Sequence, residues 1–366
     1  MGTVGLMLDL LLLFLACSLS LALYPLWIDF VYKFQMGESV RSDGPITHKK
    51  KEGTPTMGGL VFVFVVALVS LVFNRSRTQT LFPLFVATLS GLLGLFEDFT
   101  KVYRKSGLPG FFEYHFKGFL KKTSNVFSKI GPIKFVWSGF KSLCSVVGSS
   151  DDSGIKTYQK FIVQGLIAGF ASYWTYFKLG WDYIWFPLIG NVHIGFGYPI
   201  FIFLLFIGIL NAVAFTDGLD GLAGGLSILS FISFWILSRI LGFNSLAGFC
   251  ATFVGAMIPF LYFNIFPARV FMGNVGSYVL GSVMAILAVV LHREVAFAFI
   301  GMVFLVDGIS SPLQQLVYRF TKKRLFRMAP LHHHFEMLGW HESKITLRFL
   351  LFGLFFSLVG IFVAIL

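Results

Sequence analysis

The chain has 366 residues, of which 56% are hydrophobic and 13% charged, and its formal net charge is +12. An ordinary soluble domain is about 25% charged, so this composition excludes a soluble globular enzyme and a disordered chain alike. Its three cysteines, Cys17, Cys144 and Cys250, lie far apart with no metal-ligand spacing and no disulfide framework.

Apolar runs of about 20 residues recur along the chain, each long enough to cross a bilayer as a helix. Lipid offers the backbone no hydrogen-bond partner, so the expected fold is all-α. The predicted spans are 5–27, 57–73, 80–96, 159–177, 199–215, 223–241, 246–263, 277–291, 295–316 and 347–366. The first run has no basic n-region and no small-residue cleavage site before Tyr24-Pro25, so it reads as a span rather than a cleaved signal. With the N-terminus outside, the inner loops are 28–56, 97–158, 216–222, 264–276 and 317–346. Together with Lys160 and Arg348 at the inner span ends, they hold 24 of the 29 Lys and Arg residues, leaving Arg75, Arg77, Lys178, Arg239 and Arg293 outside. The positive-inside rule then places both termini outside. The basic charge is a topology signal and not a nucleic-acid patch. The whole chain, 1–366, reads as one polytopic membrane domain of about ten helices. The outer segment 181–197, with alternating aromatics and Gly-Asn near its middle, suggests a short hairpin.

The polar clusters fall on the inner face, where a carboxylate avoids the cost of about 2.5–3.5 kcal/mol that a charge pays at the centre of a spanning helix. The first is His48-Lys49-Lys50-Lys51-Glu52-Gly53-Thr54-Pro55-Thr56-Met57-Gly58-Gly59. Its Gly and Pro residues shape a turn whose N–H groups suit an anion, with Lys51 beside a phosphate; a plain stop signal explains the lysines alone. The second is Glu97-Asp98 with Lys101 and Lys105 beyond. Adjacent carboxylates on a helix face different ways, so one suits a metal and the other a base; solvated end charges are the alternative. In the third, Asn211 to Leu222, Asp217 and Asp220 are three apart, hence on one face if helical, and are flanked by glycines, an arrangement that favours a metal or ligand over structure. The fourth runs from Asn264 to Ser277 and includes Phe271 and Gly273-Asn274. The fifth contains His332-His333-His334; adjacent imidazoles do not make a zinc helix and fit anion or ribose contacts better. Asp307, followed by Gly308 and Pro312, marks a broken ninth span and a functional carboxylate inside the membrane; a helix-packing hydrogen bond is the alternative.

Between Leu108 and Lys156 lies an extra inner segment, placed at about 108–156. Phe116, Phe119, Leu120, Phe127 and Ile130 recur there at helical spacing among lysines. This reads as a basic amphipathic stretch on the inner leaflet, with a tolerated loop insertion as the alternative.

Bases, an acidic corner and glycines on one membrane face imply a phosphate-bearing substrate, and phosphoryl transfer needs positioning and charge neutralisation above all. The strings Gly-Thr-Pro-Thr-Met-Gly-Gly, Thr-Asp-Gly-Leu-Asp-Gly-Leu-Ala and Ala-Pro-Leu-His-His-His-Phe-Glu together resemble the phospho-N-acetylmuramoyl-pentapeptide transferases of the polyprenyl-phosphate N-acetylhexosamine-1-phosphate transferase superfamily. The resemblance covers nearly the whole chain. It implies transfer from UDP-N-acetylmuramoyl-pentapeptide to undecaprenyl phosphate, giving lipid I and UMP, with Mg²⁺ as cofactor. The implied setting is the bacterial cytoplasmic membrane, with the site on its inner face and membrane lipid around it; a homodimer is compatible. By motif position it implies catalytic roles for Glu97, Asp98, Asp217 and His332, with Glu97 or Asp98 as base. Substrate contacts fall to Lys51, Lys101, Lys105, Lys160, Asp220, Asn264, Phe271 (against the uracil), Gln314, His333 and His334. Metal contacts fall to Asp217, Asp220 and Asn274.

The pattern departs from the family at four places. Paired aspartates appear as Glu97-Asp98, the Gly-Asp before the eighth span as Gly273-Asn274, an Asn as Ala214, and the ninth-span Glu as Asp307. The competing readings are a sister enzyme transferring N-acetylglucosamine-1-phosphate, an inactive relative, and a membrane transporter, whose polar residues would line a path near the bilayer midplane.

Overall fold

A computed structural model describes residues 3–37, 51–106, 138–142, 144 and 156–366, with the backbone alone over 103–106. The predicted amphipathic stretch at 116–130 and the side chain of Lys105 lie outside the described residues.

Twelve described helices are named here in chain order: α1 (Thr3–Lys33), α2 (Gly59–Phe73), α3 (Phe82–Ser106), α4 (Thr157–Tyr173), α5 (Gly197–Thr216), α6 (Leu222–Ile240), α7 (Asn244–Asn264), α8 (Gly273–Val290), α9 (Glu294–Ile300), α10 (Met302–Thr321), α11 (Leu331–Glu336) and α12 (Glu342–Ile365). Each predicted span has a helix in its place. Seven are long and apolar enough to cross a membrane, or eight if the bent pair α9–α10 counts as one span. The expected ten is therefore reached only by adding α2 and α4, which have 15 and 17 residues. The chain is a multi-pass, helical membrane protein.

Burial follows from composition. In α1 the buried residues are Asp9, Leu12, Ala16, Ser20, Tyr24, Ile28 and Val31, a stripe at three- and four-residue spacing. The other flanks remain apolar, as suits a helix with lipid on most sides. In α8 every residue from Val275 to Val290 is buried, so this helix is the axis of the bundle. Around it, α3 and α5 pack on α8, α1 and α6 on α7, α10 and α4 on α5, and α12 on α6 and α9. Small residues permit the closest crossings: a methyl added at Gly281 would lie 2.7 Å from Leu210 Cα. Asp9, which sequence reasoning did not single out, accepts from Trp235 Nε1 (2.6 Å) and Arg239 Nε (2.5 Å), tying α1 to α6.

Three expectations need correction. First, α3 does not stop at residue 96 but continues to Ser106, so Glu97 and Asp98 sit inside a helix. Second, the ninth span breaks at Gly301, where α9 and α10 meet at 82°, and not at Gly308 or Pro312. Gly308 serves packing instead: a methyl there would lie 2.5 Å from Ala212 Cα in α5. Third, the hairpin exists, but its strands β1 (Tyr183–Phe186) and β2 (Gly190–His193) turn through 187–189, so Gly190-Asn191 begins the second strand.

Candidate active site

The polar clusters converge at one end of the bundle. Gly221, at φ +76°, turns the chain from the 217–220 link into α6, a conformation that a side chain would strain. Gly273, at φ +75°, starts α8; a methyl there would lie 2.6 Å from Asp98 Oδ2. This close approach seats the Asp98 carboxylate on the N-terminus of α8, where Val275 N donates to Oδ2 at 3.0 Å. A helix N-terminus favours negative charge.

Glu97 faces the other way, as adjacent helical positions require. Its Oε1 accepts from Lys160 Nζ of α4 (2.5 Å) and lies 3.6 Å from Lys101 Nζ, while Oε2 accepts from Tyr278 Oη of α8 (2.8 Å). Glu97 and Lys160 are buried. Two ammonium groups and a phenol therefore hold Glu97 as a clamp joining α3, α4 and α8. One turn along α4 from Lys160, Gln164 pairs with Asn211, whose Nδ2 donates to Gln164 Oε1 at 2.9 Å. Tyr278 and Gln164 carried no sequence signal, because each lies within a helix of apolar residues.

The second group surrounds a cavity of ≈ 1110 Å³ lined by Lys51, Asp220, Phe266, Gln314, Tyr318, Arg324, Arg327, Trp340 and Glu342, among others. Lys51 Nζ donates to Asp220 Oδ1 (2.7 Å) and Glu342 Oε1 (2.6 Å). Burial alone lowers the pKa of this ammonium, but the two carboxylates outweigh it and raise the value above that of an ordinary lysine. Lys51 also lies 5.9 Å from the Phe271 ring centroid. Phe271 is held by its backbone, N donating to Pro55 O (2.7 Å) and O accepting from Gly58 N (2.8 Å). Gln314 Oε1 accepts from Phe326 N (2.7 Å), bracing the 322–330 link. Asn264 is buried and ties two links together, accepting from Gly221 N (3.1 Å) and donating to Val270 O (2.9 Å).

The three adjacent histidines do three different things. His332 is fully buried. Its backbone N donates to Asp307 Oδ1 (2.9 Å), and its Nδ1 lies 2.8 Å from Asp307 Oδ2. Nε2 has no partner among the described residues and abuts Gly218, beside Asp217 at the end of α5. His333 Nδ1 meets Glu336 Oε2 at 2.6 Å, and His334 Nδ1 accepts from Arg327 N at 3.1 Å. The structure thus brings Lys51, Asp220 and Gln314 to the cavity wall. Glu97, Asp98, Lys101, Lys160, Asp217, Asn264, Phe271, Asn274, His332, His333 and His334 fall outside its lining. Among the described residues no three His, Cys, Asp or Glu side chains converge with metal-ligand geometry. Glu342 was missed in the sequence because it fell in the predicted loop 317–346, outside the polar clusters, whereas α12 begins at this residue.

The sequence is similar to known proteins along nearly its whole length. Residues 135–292 match the model described as glycosyl transferase family 4, and residues 51–63 match phospho-N-acetylmuramoyl-pentapeptide-transferase signature 1, which begins at Lys51. A phospho-N-acetylmuramoyl-pentapeptide-transferase of Staphylococcus carnosus (strain TM300) is 32% identical over 363 residues, covering 96% of this chain and 98% of the relative. The enzymes of that name from Staphylococcus aureus (strain bovine RF122 / ET3-1) and Geobacillus sp. (strain WCH70) are each 33% identical, over 96% and 95% of this chain and 98% and 95% of theirs. With such similarity sustained from end to end and the signature falling on the turn that carries Lys51, the chain belongs to the phospho-N-acetylmuramoyl-pentapeptide-transferase family.

Proposed function

We propose that this protein transfers phospho-N-acetylmuramoyl-pentapeptide from its UDP-sugar to undecaprenyl phosphate at the inner face of the bacterial cytoplasmic membrane, yielding lipid I and UMP. The observation that carries the reading is the Lys51 turn: the matched signature begins at Lys51, a half-buried ammonium at the wall of a cavity large enough for a nucleotide-sugar. In the reaction an oxygen of the lipid phosphate bonds to the sugar-linked phosphorus. The phosphoanhydride breaks, and UMP leaves with the electron pair of that bond.

Asp98 is the better placed of the two adjacent acids to take the proton of the lipid phosphate, because Glu97 is neutralised by Lys160, Lys101 and Tyr278. Lys51 would neutralise a phosphate, and His332, fixed by Asp307, presents Nε2 toward the Asp217-Gly218 turn. Mg²⁺ is commonly held by one or two carboxylates together with substrate phosphates and water, so a site without three converging protein acids fits it. Asp220 spends both carboxylate oxygens on Lys51 and on Ala268 N (3.0 Å). By motif position Asp217 and Asp220, with the Asn274 amide, would hold the ion together with the substrate's phosphates. When bound, Mg²⁺ supplies charge neutralisation of the diphosphate.

The test is UMP release by purified protein with undecaprenyl phosphate and Mg²⁺, comparing UDP-N-acetylmuramoyl-pentapeptide with UDP-N-acetylglucosamine. Release only from the first is expected. Release only from the second would reassign the chain to the sister reaction.

A further inference from the structure

We propose that Glu342 is a positioning residue of the nucleotide-sugar site, setting both Lys51 and the Asp220 link with a single carboxylate oxygen. The inference rests on the cavity's being the substrate site.

Glu342 Oε1 accepts from Lys51 Nζ at 2.6 Å and from Asp220 N at 2.6 Å. One turn along α12, Thr346 Oγ1 donates to Asp220 O at 3.2 Å. Positions four apart share a helical face, so the first turn of α12 grips both backbone groups of Asp220. The side chain of Asp220 is equally committed, with Oδ1 on Lys51 and Oδ2 on Ala268 N. Every hydrogen-bonding group of Asp220 is thus assigned, and the 217–220 link cannot shift without breaking contacts to α12, Lys51 and the 265–272 link.

Charge shows that Glu342 is there for geometry. Two carboxylates and one ammonium leave the cluster net negative in a cavity read as the seat of a polyanion. A carboxylate that only faced the ligand would oppose it. Glu342 is instead turned onto Lys51, with 6% of its side chain exposed. A lysine ammonium has three N–H donors. Two are fixed, on Asp220 and Glu342, so the third has one direction and needs no reorganisation to meet a phosphate. Fixing a donor in advance saves ordering cost on binding.

A merely structural tie would lower stability and the active fraction, leaving KM unchanged. A positioning role moves KM. Glu342→Ala is expected to raise KM for UDP-N-acetylmuramoyl-pentapeptide by about 10-fold or more with kcat within about 3-fold. Glu342→Gln, which keeps an acceptor for Asp220 N, should recover KM to within about 3-fold of the parent. Unchanged KM in folded Glu342→Ala overturns the proposal, as does a fall in kcat alone, which would put Glu342 in the chemistry. If Glu342→Ala does not fold, Glu342→Asp carries the test: it keeps the charge but is one methylene short, and a parental KM there overturns the proposal. Calorimetric binding of UDP separates this inference from the proposed function. A parent that binds UDP but releases no UMP refutes the reaction, while an about 10-fold weaker Kd in Glu342→Ala still supports Glu342. A parent that neither turns over nor binds UDP refutes both.

Discussion

Asp307 holds His332 at two points, Oδ1 on the backbone N–H (2.9 Å) and Oδ2 against Nδ1 (2.8 Å), with both residues fully buried. A carboxylate on Nδ1 fixes the ring and its tautomer, so Nε2 is the nitrogen turned toward Gly218. Asp307→Asn should keep much of the packing but lose this control. We expect kcat to fall by about 10²-fold or more, with a smaller effect on KM, measured by UMP release at saturating and limiting UDP-sugar. Parental kcat in that variant would reduce Asp307 to a packing residue.

Glu97 and Asp98 should separate cleanly. Glu97→Gln leaves Lys160 buried beside a neutral partner, a loss of about 3–5 kcal/mol for a broken buried pair, read as a large drop in Tm in detergent. Asp98→Asn should instead keep Tm near the parent's and lose about 100-fold or more in turnover. The reverse pattern would exchange their roles.

Asn274 stands at the second position of α8, and its Nδ2 is buried without a partner among the described residues. Opposite charges about 4 Å apart attract by about 4 kcal/mol at an effective dielectric of 20, before desolvation. An amide forgoes that charge. Asn274→Asp should therefore lower the Mg²⁺ concentration for half-maximal UMP release, with the parent active but Mg²⁺-hungry. Superimposed titrations would show that this position does not hold the metal. A dead parent rescued by Asn274→Asp would mark an inactive copy.

At the opposite end, His292 joins the hairpin to the bundle. Its ring stacks on Tyr183 (4.6 Å between centroids, 23°) and meets Trp181 edge-on at 4.5 Å. Burial, with help from Arg293, pushes its pKa down to about 4. An unfolded histidine titrates near 6.5, so between about pH 6.5 and 4 the unfolded chain binds the extra proton. Stability therefore falls as pH drops through that window and is unaffected by this residue above it. His292→Phe should flatten that part of the Tm–pH profile relative to the parent; identical slopes would contradict the assignment.

The helices could be read from the sequence because lipid forces apolar runs to be helical, and each predicted run is helical, the ninth as the pair α9 and α10. Their ends could not. Glu97, Asp98 and Lys101 look like a terminus, yet α3 runs on to Ser106 because the charges are satisfied by α4 and α8. The break expected after Asp307 lies at Gly301 instead; α10 runs unbroken through Gly308, which packs on the backbone of α5. The acidic and basic motifs announced themselves by being polar in an apolar chain. What they touch did not: Glu342 contacts a residue 122 positions away, a partnership no local spacing encodes.

The glycine crossings around α8 carry a consequence for how the protein tolerates change. Gly59 of α2 lies against Gly276, and Gly94 of α3 against the Asn274 backbone, with no room for a side chain at either crossing. These contacts cannot be remodelled by single substitutions without forcing helices apart, so a change there is transmitted to the N-terminus of α8, on which the Asp98 carboxylate is seated.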